Sequence, residues 1–254
     1  MGEGGDQPTL LRSYGRQAEG TEGTEVVEVT LLQPLRLLLL LCLRYPSPMD
    51  FIVLSSSRGT TLQAVLDAIK EGSLTAHCLG LIADREDRGC VAKARAAEIP
   101  VTIVERKKDE DRESYDKRLD GAIRDLVTHN PKLETLLAAI GWMFLFSPWF
   151  VAQWKNRIVN VHPALLPKHP GANAIRDTLA AGDTETGMTI HLIDEGVDTG
   201  PILLQKTCAV LPEDTEETLK ERIQALEKEW YPKVLEMMNQ GDILPRAYGA
   251  TDSL

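Results

Sequence analysis

Residues 49–72 read MDFIVLSSSRGTTLQAVLDAIKEG, and they contain the unit from which the rest of the fold can be predicted. Residues 51–55 form a short apolar run that is typical of a buried β-strand. After a polar loop, apolar residues recur at helical spacing until a glycine of the kind that ends helices: Leu62, Val65, Leu66, Ile69 and then Gly72. The stretch therefore predicts a buried strand and a helix joined by a short loop.

The same alternation of strand and helix continues along the chain. Further strands are predicted at residues 77–83, 101–104, 134–140, 158–161, 188–193 and 202–210. Further helices are predicted at residues 91–98, 109–128 and 174–181, followed by a long last helix. We expect Asp214 and Glu217 to form the N-cap and N3 pair of that helix, and Pro232 to kink it. Repeated alternation predicts an α/β fold, Rossmann-like, with a mostly parallel sheet and helices on both faces.

Ligands bind such sheets beyond the carboxyl ends of the strands, where the strand order switches. The loops after Leu54, Ile140 and Val161 are therefore the candidate positions for a functional site.

Composition limits the class of protein. Of 254 residues, 43% are hydrophobic and 26% charged, as in an ordinary globular protein. The net charge of −10 argues against a general nucleic-acid binder, because neutralising phosphates requires a basic surface. The cysteines form no CxxC pair, which favours free thiols in a reducing compartment. We expect a cytoplasmic monomer or homodimer that binds small molecules, and neither nucleic acid nor a membrane.

Three segments are predicted from changes in composition. Residues 1–30 are rich in Gly, Glu and Thr and lack an apolar period, which is typical of disorder. Met49 is followed at once by the first predicted strand, as at a natural start. We interpret residues 1–48 as a disordered or non-native N-terminal extension, residues 49–244 as the folded domain that carries the function and residues 245–254 as a C-terminal tail.

The loop at residues 55–61, Ser-Ser-Ser-Arg-Gly-Thr-Thr, leads from the first strand into the helix. Backbone N–H groups at a helix N-terminus, with hydroxyls nearby, can bind a phosphate. A plain capping turn has the same composition, and from these residues alone it is the favoured alternative.

Asn160, His162 and Asp198 are the candidate reaction centre. They follow β-branched, strand-like runs and lie on segments stiffened by proline or glycine, which suits rigid placement of polar groups. A carboxamide can polarise a carbonyl, an imidazole can exchange a proton or stabilise an oxyanion, and a carboxylate can orient or deprotonate. Each residue taken singly could also be structural. No two histidines have the spacing of a zinc helix, so no metal site is predicted.

The chain resembles the 10-formyltetrahydrofolate-dependent formyltransferase family. The resemblance rests on three segments in order: Asn-Val-His-Pro-Ala-Leu-Leu-Pro at 160–167, Gly-Met-Thr-Ile-His at 187–191 and Asp-Thr-Gly-Pro-Ile-Leu at 198–203. It covers nearly everything after residue 48 and is strongest to the members that formylate glycinamide ribonucleotide in purine synthesis. It implies the formyltransferase fold, 10-formyltetrahydrofolate as co-substrate and no metal.

The resemblance also implies roles for individual residues. Asn160 and His162 would stabilise the oxyanion that forms when the acceptor amine attacks. Asp198 would either hold His162 protonated, since a carboxylate raises an imidazole pKa, or help to move the proton through water. His191 and Pro163 would support this centre. The acceptor's phosphate and ribose would be bound by Arg58, Gly59, Thr60, Thr61 and Glu227. The folate would be bound by Asp198 and by one apolar segment: Gly141, Trp142, Met143, Phe144, Leu145 and Phe146.

The sequence departs from the family pattern at the phosphate loop, which usually reads Ser-Gly-x-Gly-Ser-Asn. Ser57 replaces a glycine, Thr61 replaces the asparagine, and Arg58 adds a charge. Phe144 stands where an arginine is common. The alternatives are therefore an N-formyltransferase for another amine, such as an amino-sugar nucleotide, and a formyltetrahydrofolate hydrolase. The non-enzymatic alternative is an inactive folate- or nucleotide-binding protein.

Overall fold

The computed structural model describes residues 48–127 and 135–243, and within them strands and helices alternate as predicted. The strands are β1 (Asp50–Ser55), β2 (His77–Ala83), β3 (Val101–Ile103), β4 (Leu136–Ala139), β5 (Ile158–His162), β6 (Glu185–Leu192) and β7 (Ile202–Ala209). The helices are α1 (Thr60–Glu71), α2 (Gly89–Ala96), α3 (Arg112–Val127), α4 (Pro148–Gln153), α5 (Ala174–Ala181) and α6 (Glu216–Gln240). The predicted extension up to residue 47 and the predicted tail lie outside the described residues.

The strands form one seven-stranded sheet in the order β3-β2-β1-β4-β5-β6-β7. The pairs from β3 to β5 are parallel, whereas β6 pairs antiparallel with both β5 and β7. The prediction of a mostly parallel sheet is therefore confirmed. Strand order switches between β1 and β4, so the carboxyl ends of these strands frame the expected crevice.

Helices cover both faces of the sheet. Alternate residues of β1 are buried in two separate clusters, Phe51 and Val53 in one and Ile52 and Leu54 in the other. The first cluster includes side chains of α1, α2 and α6, and the second includes side chains of α3 and α4. Because both its faces are packed, β1 is buried along its whole length, as a central parallel strand requires.

Two glycines delimit α1 and fix its direction relative to β1. Gly59 precedes the helix with a φ of 76°, and Gly72 ends it with a φ of 75°, both in the left-handed region that favours glycine. A Cβ added to Gly59 would lie 2.8 Å from Cα of Cys90, so a side chain has no room there. The N-terminus of α1 is therefore held beside the carboxyl end of β1.

The start of α6 differs from the sequence prediction. Its N-cap is Thr215, whose hydroxyl accepts from the backbone N–H of Thr218 at 3.3 Å. The predicted capping pair of Asp214 and Glu217 is wrong, because the Asp214 carboxylate instead accepts hydrogen bonds from the guanidinium of Arg222. The helix thus begins one residue later than the motif suggested.

Helix α4 was not predicted. Its six residues are too few to show a helical period. Ser147 and Pro148 are nevertheless typical start residues, and the Ser147 hydroxyl accepts from the backbone N–H of Phe150 at 3.3 Å. Pro232, expected to kink the last helix, lies inside α6, which continues to Gln240.

Two further observations concern the described residues. Cys78, Cys90 and Cys208 are free thiols. None of the helices within residues 48–127 and 135–243 combines the length and the apolar character needed to span a bilayer.

Candidate active site

A cavity of about 410 Å³ opens at the carboxyl ends of β1, β4 and β5. It receives side chains from the loop after β1, the segment after β4, the end of β5, the turn between β6 and β7, and α6. Gly59 is buried and is not on the cavity wall. All other sequence-predicted site residues line the wall: Arg58, Thr60, Thr61, Gly141, Trp142, Met143, Phe144, Leu145, Phe146, Asn160, His162, Pro163, His191, Asp198 and Glu227.

His162 is the last residue of β5 and is 3% exposed. Its Nε2 donates to the backbone carbonyl of His169 at 2.8 Å, because a carbonyl oxygen can only accept. Its Nδ1 lies 3.3 Å from Oδ2 of Asp198. Both ring nitrogens therefore face acceptors, and a proton taken up at Nδ1 has a partner already in place.

Asp198 lies in the turn between β6 and β7 with a left-handed φ of 55°. Its Oδ2 accepts from the backbone N–H of Gly171 at 2.7 Å, and its Oδ1 lies 3.6 Å from Nε2 of His191. Left-handed backbone at a residue other than glycine is uncommon and concentrates at functional sites. The turn thus holds one carboxylate against the histidines of two neighbouring strands.

Asn160 lies opposite His191 in the β5–β6 pairing. Nδ2 of Asn160 and Nε2 of His191 are 3.1 Å apart, and Nδ1 of His191 donates to the carbonyl of Leu192 at 3.0 Å. With its proton on Nδ1, a neutral His191 accepts from the Asn160 amide at Nε2. The amide nitrogen carries a second hydrogen, which is available to a ligand in the cavity.

The electrostatics of this centre correct one of the two roles expected of Asp198. Burial lowers the pKa of His162 below its usual value, and the opposing effects of the Asp198 charge and the His169 carbonyl are smaller. The pKa of Asp198 is raised by burial, but the bond from Gly171 and the charges that His162 and His191 carry when protonated bring it below its usual value. Asp198 therefore does not hold His162 protonated, because a buried imidazole loses more hydration than this carboxylate compensates. At neutral pH the pair is a neutral imidazole beside an ionised carboxylate.

The loop between β1 and α1 contains an internal cap. The hydroxyl of Ser57 accepts from the backbone N–H of Gly59 at 3.1 Å and lies 3.0 Å from the hydroxyl of Ser55. Ser57 also fits closely against Gly141, where an added Cβ would lie 2.8 Å from the Ser57 hydroxyl oxygen. Arg58 is exposed on the cavity wall. This cation and the positive end of the helix dipole both favour an anion at this position.

Thr61 and Glu227 join the first turn of α1 to α6. The Thr61 hydroxyl donates to Oε2 of Glu227 at 3.1 Å. Burial raises the pKa of Glu227 to about 7, although the Thr61 bond and the charges of Lys220 and Lys228 act to lower it. Near neutral pH the Glu227 carboxyl can therefore either donate or accept a hydrogen bond at the cavity.

The segment at residues 141–146 forms an apolar wall. The rings of Trp142 and Phe146 are stacked, with centroids 6.1 Å apart. Met143 and Leu145 are 69% and 56% exposed, respectively, although both are large hydrophobic residues. Exposed apolar side chains next to stacked rings, in a concave site, suit a planar aromatic ligand.

Sequence reasoning missed several contributors to the site. Arg112, the first residue of α3, and Lys220 of α6 add two cations to the cavity wall. His169 and Gly171 take part through backbone atoms. A backbone contact does not require a particular residue type, so the sequence does not reveal it. The one available signal was the proline- and glycine-containing run at residues 168–171, directly after the motif of His162.

The fold and the cavity define a class of protein: a Rossmann-like α/β protein whose polar centre lies between a loop with an exposed cation at a helix N-terminus and an apolar wall. In the part of the chain that the structure describes, no group of three or more His, Cys, Asp or Glu side chains could hold a metal ion. The chain belongs to the formyl transferase family, whose model matches residues 49–235.

Relatives support this family membership over most of the chain. The phosphoribosylglycinamide formyltransferase of Bacillus subtilis is 33% identical over 188 residues, which are 74% of this chain and 93% of that protein. The trifunctional purine biosynthetic protein adenosine-3 of Drosophila pseudoobscura pseudoobscura is 38% identical over 191 residues, or 74% of this chain, and the chain spans 14% of its length.

A solved structure gives the same result in three dimensions. The glycinamide ribonucleotide transformylase 1 of Symbiobacterium toebii superposes with a TM-score of 0.71 at 34% identity, covering 76% of this chain and 89% of that one. The predicted formyltransferase fold is therefore confirmed.

Proposed function

We propose that the protein transfers a formyl group from 10-formyltetrahydrofolate to the amine of glycinamide ribonucleotide, a step of purine synthesis. The observation that carries the proposal is one cavity that joins three parts: the loop at Arg58, the centre at Asn160, His162 and Asp198, and the apolar wall at residues 141–146. A phosphorylated acceptor and a planar donor can thus reach the same polar centre. The names of the relatives from B. subtilis and S. toebii support the same activity.

The polar centre can perform the transfer without a metal ion. The acceptor nitrogen forms a bond to the formyl carbon, the bond from that carbon to N10 of the folate breaks, and one proton passes from the amine to N10. The free amide hydrogen of Asn160 stabilises the negative charge that develops on the formyl oxygen. His162 and Asp198 hold the proton in transit, because a proton on Nδ1 of His162 lies 3.3 Å from Oδ2 of Asp198.

The two substrates occupy opposite ends of the cavity. The N-terminus of α1 and Arg58 bind the phosphate of the acceptor, and Glu227 binds its ribose hydroxyls. The exposed side chains of Met143 and Leu145 become buried against the pteridine ring. Residues 141–146 also supply backbone donors and acceptors to that ring.

The test is acceptor-dependent release of tetrahydrofolate. Purified protein is incubated with 10-formyltetrahydrofolate alone, with glycinamide ribonucleotide, or with an amino-sugar nucleotide, and the Asp198→Asn variant serves as the matched control. We expect release that requires glycinamide ribonucleotide and is lost in the variant. Release without an acceptor would instead identify a hydrolase, release only with the amino sugar would identify another N-formyltransferase, and binding without release would identify an inactive relative.

A further inference from the structure

The loop at residues 163–173, between β5 and α5, contacts both members of the His162–Asp198 pair through its backbone. The carbonyl of His169 accepts from Nε2 of His162 at 2.8 Å, and the N–H of Gly171 donates to Oδ2 of Asp198 at 2.7 Å. The position of this short stretch of backbone therefore determines where the imidazole and the carboxylate lie.

The first half of the loop is anchored to the sheet. The Thr189 hydroxyl donates to the carbonyl of Ala164 at 2.7 Å and accepts from the N–H of Leu166 at 3.0 Å. The side-chain amide of Gln205 donates to the carbonyl of Leu166 at 2.8 Å. These contacts end at residue 166, three residues before the carbonyl that holds His162.

The second half is anchored through Asp183, in the turn between α5 and β6. Nε2 of His169 lies 2.8 Å from Oδ2 of Asp183, and Nζ of Lys168 lies 3.2 Å from Oδ1. The side chains of His169 and Asp183 are 17% and 19% exposed, whereas that of Lys168 is 62% exposed. Of the two contacts of Asp183, the one with His169 is shielded from solvent. It is also the stronger anchor, because an exposed ion pair with a lysine contributes little.

The backbone of His169 requires such an anchor. Its φ is 51°, in the left-handed region, and it is followed by Pro170 and by Gly171 with a φ of 92°. A residue other than glycine keeps this conformation where its surroundings hold it there. The side chain of His169, fixed by Asp183, supplies that restraint at the very residue whose carbonyl faces His162.

We infer that His169 and Asp183 are a positioning pair that fixes the place of the His169 carbonyl. This carbonyl keeps the proton of neutral His162 on Nε2, so that Nδ1 of His162 remains directed at Asp198. Neither residue lies on the cavity wall, so both act through His162. The catalytic consequence of this inference rests on the function proposed above, whereas the tautomer of His162 does not.

The first experiment measures that tautomer directly. Nitrogen chemical shifts of the His162 ring are recorded by NMR at pH 8 in the wild-type protein and in Asp183→Ala. We expect an Nε2–H tautomer in the wild type and a mixture of tautomers in the variant. The same single tautomer in both proteins would overturn the inference, even if the protein proved to formylate no acceptor.

The second experiment separates positioning from folding and from substrate binding. We expect His169→Phe and Asp183→Ala to lower kcat roughly ten- to a hundredfold, because small displacements of a catalytic group are costly. KM for both substrates should stay within about twofold, since neither residue binds them. His169→Gln keeps a donor at the reach of Nε2 and should recover most of kcat.

The matched control is Lys168→Met, which removes the exposed partner of Asp183 and leaves the His169 contact in place. It should leave kcat and the His162 tautomer unchanged. Circular dichroism and thermal unfolding show whether each variant is folded. If His169→Phe does not fold, Asp183→Ala decides, and a folded Asp183→Ala protein with wild-type kcat contradicts the inference.

Discussion

At the scale of single residues, the centre of the site is a buried histidine with an acceptor on each side. The motif around His162 was sufficient to predict which side chains meet, because the residue types carry the chemistry. It was not sufficient to predict the charge of the ring. That charge depends on burial, which lowers the pKa of His162 more than Asp198 and the carbonyl of His169 raise it.

The first prediction concerns this pair. His162→Ala removes the group that receives the proton, and Asp198→Asn removes the charge that stabilises the protonated ring. Each should lower kcat by at least about two orders of magnitude, measured as tetrahydrofolate release. His77→Ala, an exposed histidine on β2, is the control and should retain full activity. A folded His162→Ala or Asp198→Asn protein with a near-normal rate would exclude the assigned roles.

The second prediction concerns Arg58. The hydroxyl of Ser57 occupies the backbone N–H of Gly59, and we expect the charge of Arg58 to compensate for it in binding a phosphate. Arg58→Gln should raise KM for glycinamide ribonucleotide about tenfold, because it removes a charge-assisted hydrogen bond to the phosphate. Turnover at saturation should be unchanged, since the bond is equally present before and during the reaction. Lys70→Gln removes a cation at the other end of α1 and should change neither constant. An unaltered KM in Arg58→Gln would place the phosphate elsewhere.

At the scale of helices and strands, the contact between α1 and α6 is the feature with a measurable consequence. Thr61 and Glu227 form a buried hydrogen bond between these helices beside the cavity. The sequence placed Glu227 at the site by resemblance alone. Its burial and its bond to Thr61 depend on contact between two helices, and the two residues are 166 positions apart in the chain, so no local sequence pattern predicts them.

The third prediction follows from the pKa of Glu227. Burial raises that pKa from its ordinary 4.5 to about 7, so the folded protein binds a proton here more tightly than the unfolded chain does. The stabilisation is fully present below pH 4.5 and is lost as pH rises through about 7. It amounts to about 3 kcal/mol in the free energy of unfolding. Urea unfolding at pH 4.5 and pH 8 measures it.

Glu227→Gln should remove this component, so that its free energy of unfolding falls less between the two pH values than that of the wild type. Glu221→Gln, which alters an exposed carboxyl on the same helix, should keep the wild-type dependence. Equal pH dependence in Glu227→Gln and the wild type would show that the carboxyl is not buried as described.

Element boundaries were predictable where a single residue marks them. Gly72 and Gly182 end α1 and α5 where the sequence predicted, because each adopts the left-handed conformation that terminates a helix. The short α4 was missed because six residues give no period. The cap of α6 was assigned one residue early, since Asp214 and Thr215 are both good caps and only tertiary contact with Arg222 separates them.

At the scale of the whole molecule, strand–helix alternation predicted the sheet and the edge where the site lies. It did not predict that β6 runs antiparallel to both β5 and β7, because alternation of strands and helices does not specify the direction of two consecutive strands. The antiparallel direction of β6 determines which residues of β5 and β6 lie opposite each other at the site. It aligns Asn160 with His191, and Asp198, in the turn that follows β6, contacts His162 at the end of β5 through its side chain.

The fourth prediction concerns the extent of the chain that the activity needs. The family match begins at residue 49, and the described contacts of the cavity come from residues 57–227. A protein that begins at Met49 should therefore keep the kcat and the thermal midpoint of the full chain. A loss of activity in the shorter protein, with its fold intact, would show that residues 1–48 contribute to the site.

The central claim is that this cavity formylates the amine of glycinamide ribonucleotide. Its most direct test offers the protein equal amounts of glycinamide ribonucleotide and an amino-sugar nucleotide with 10-formyltetrahydrofolate, and identifies the formylated product by mass spectrometry. The account predicts formylglycinamide ribonucleotide as the main product and none from Asp198→Asn. A formylated amino sugar as the main product, or formate with neither acceptor modified, would contradict it.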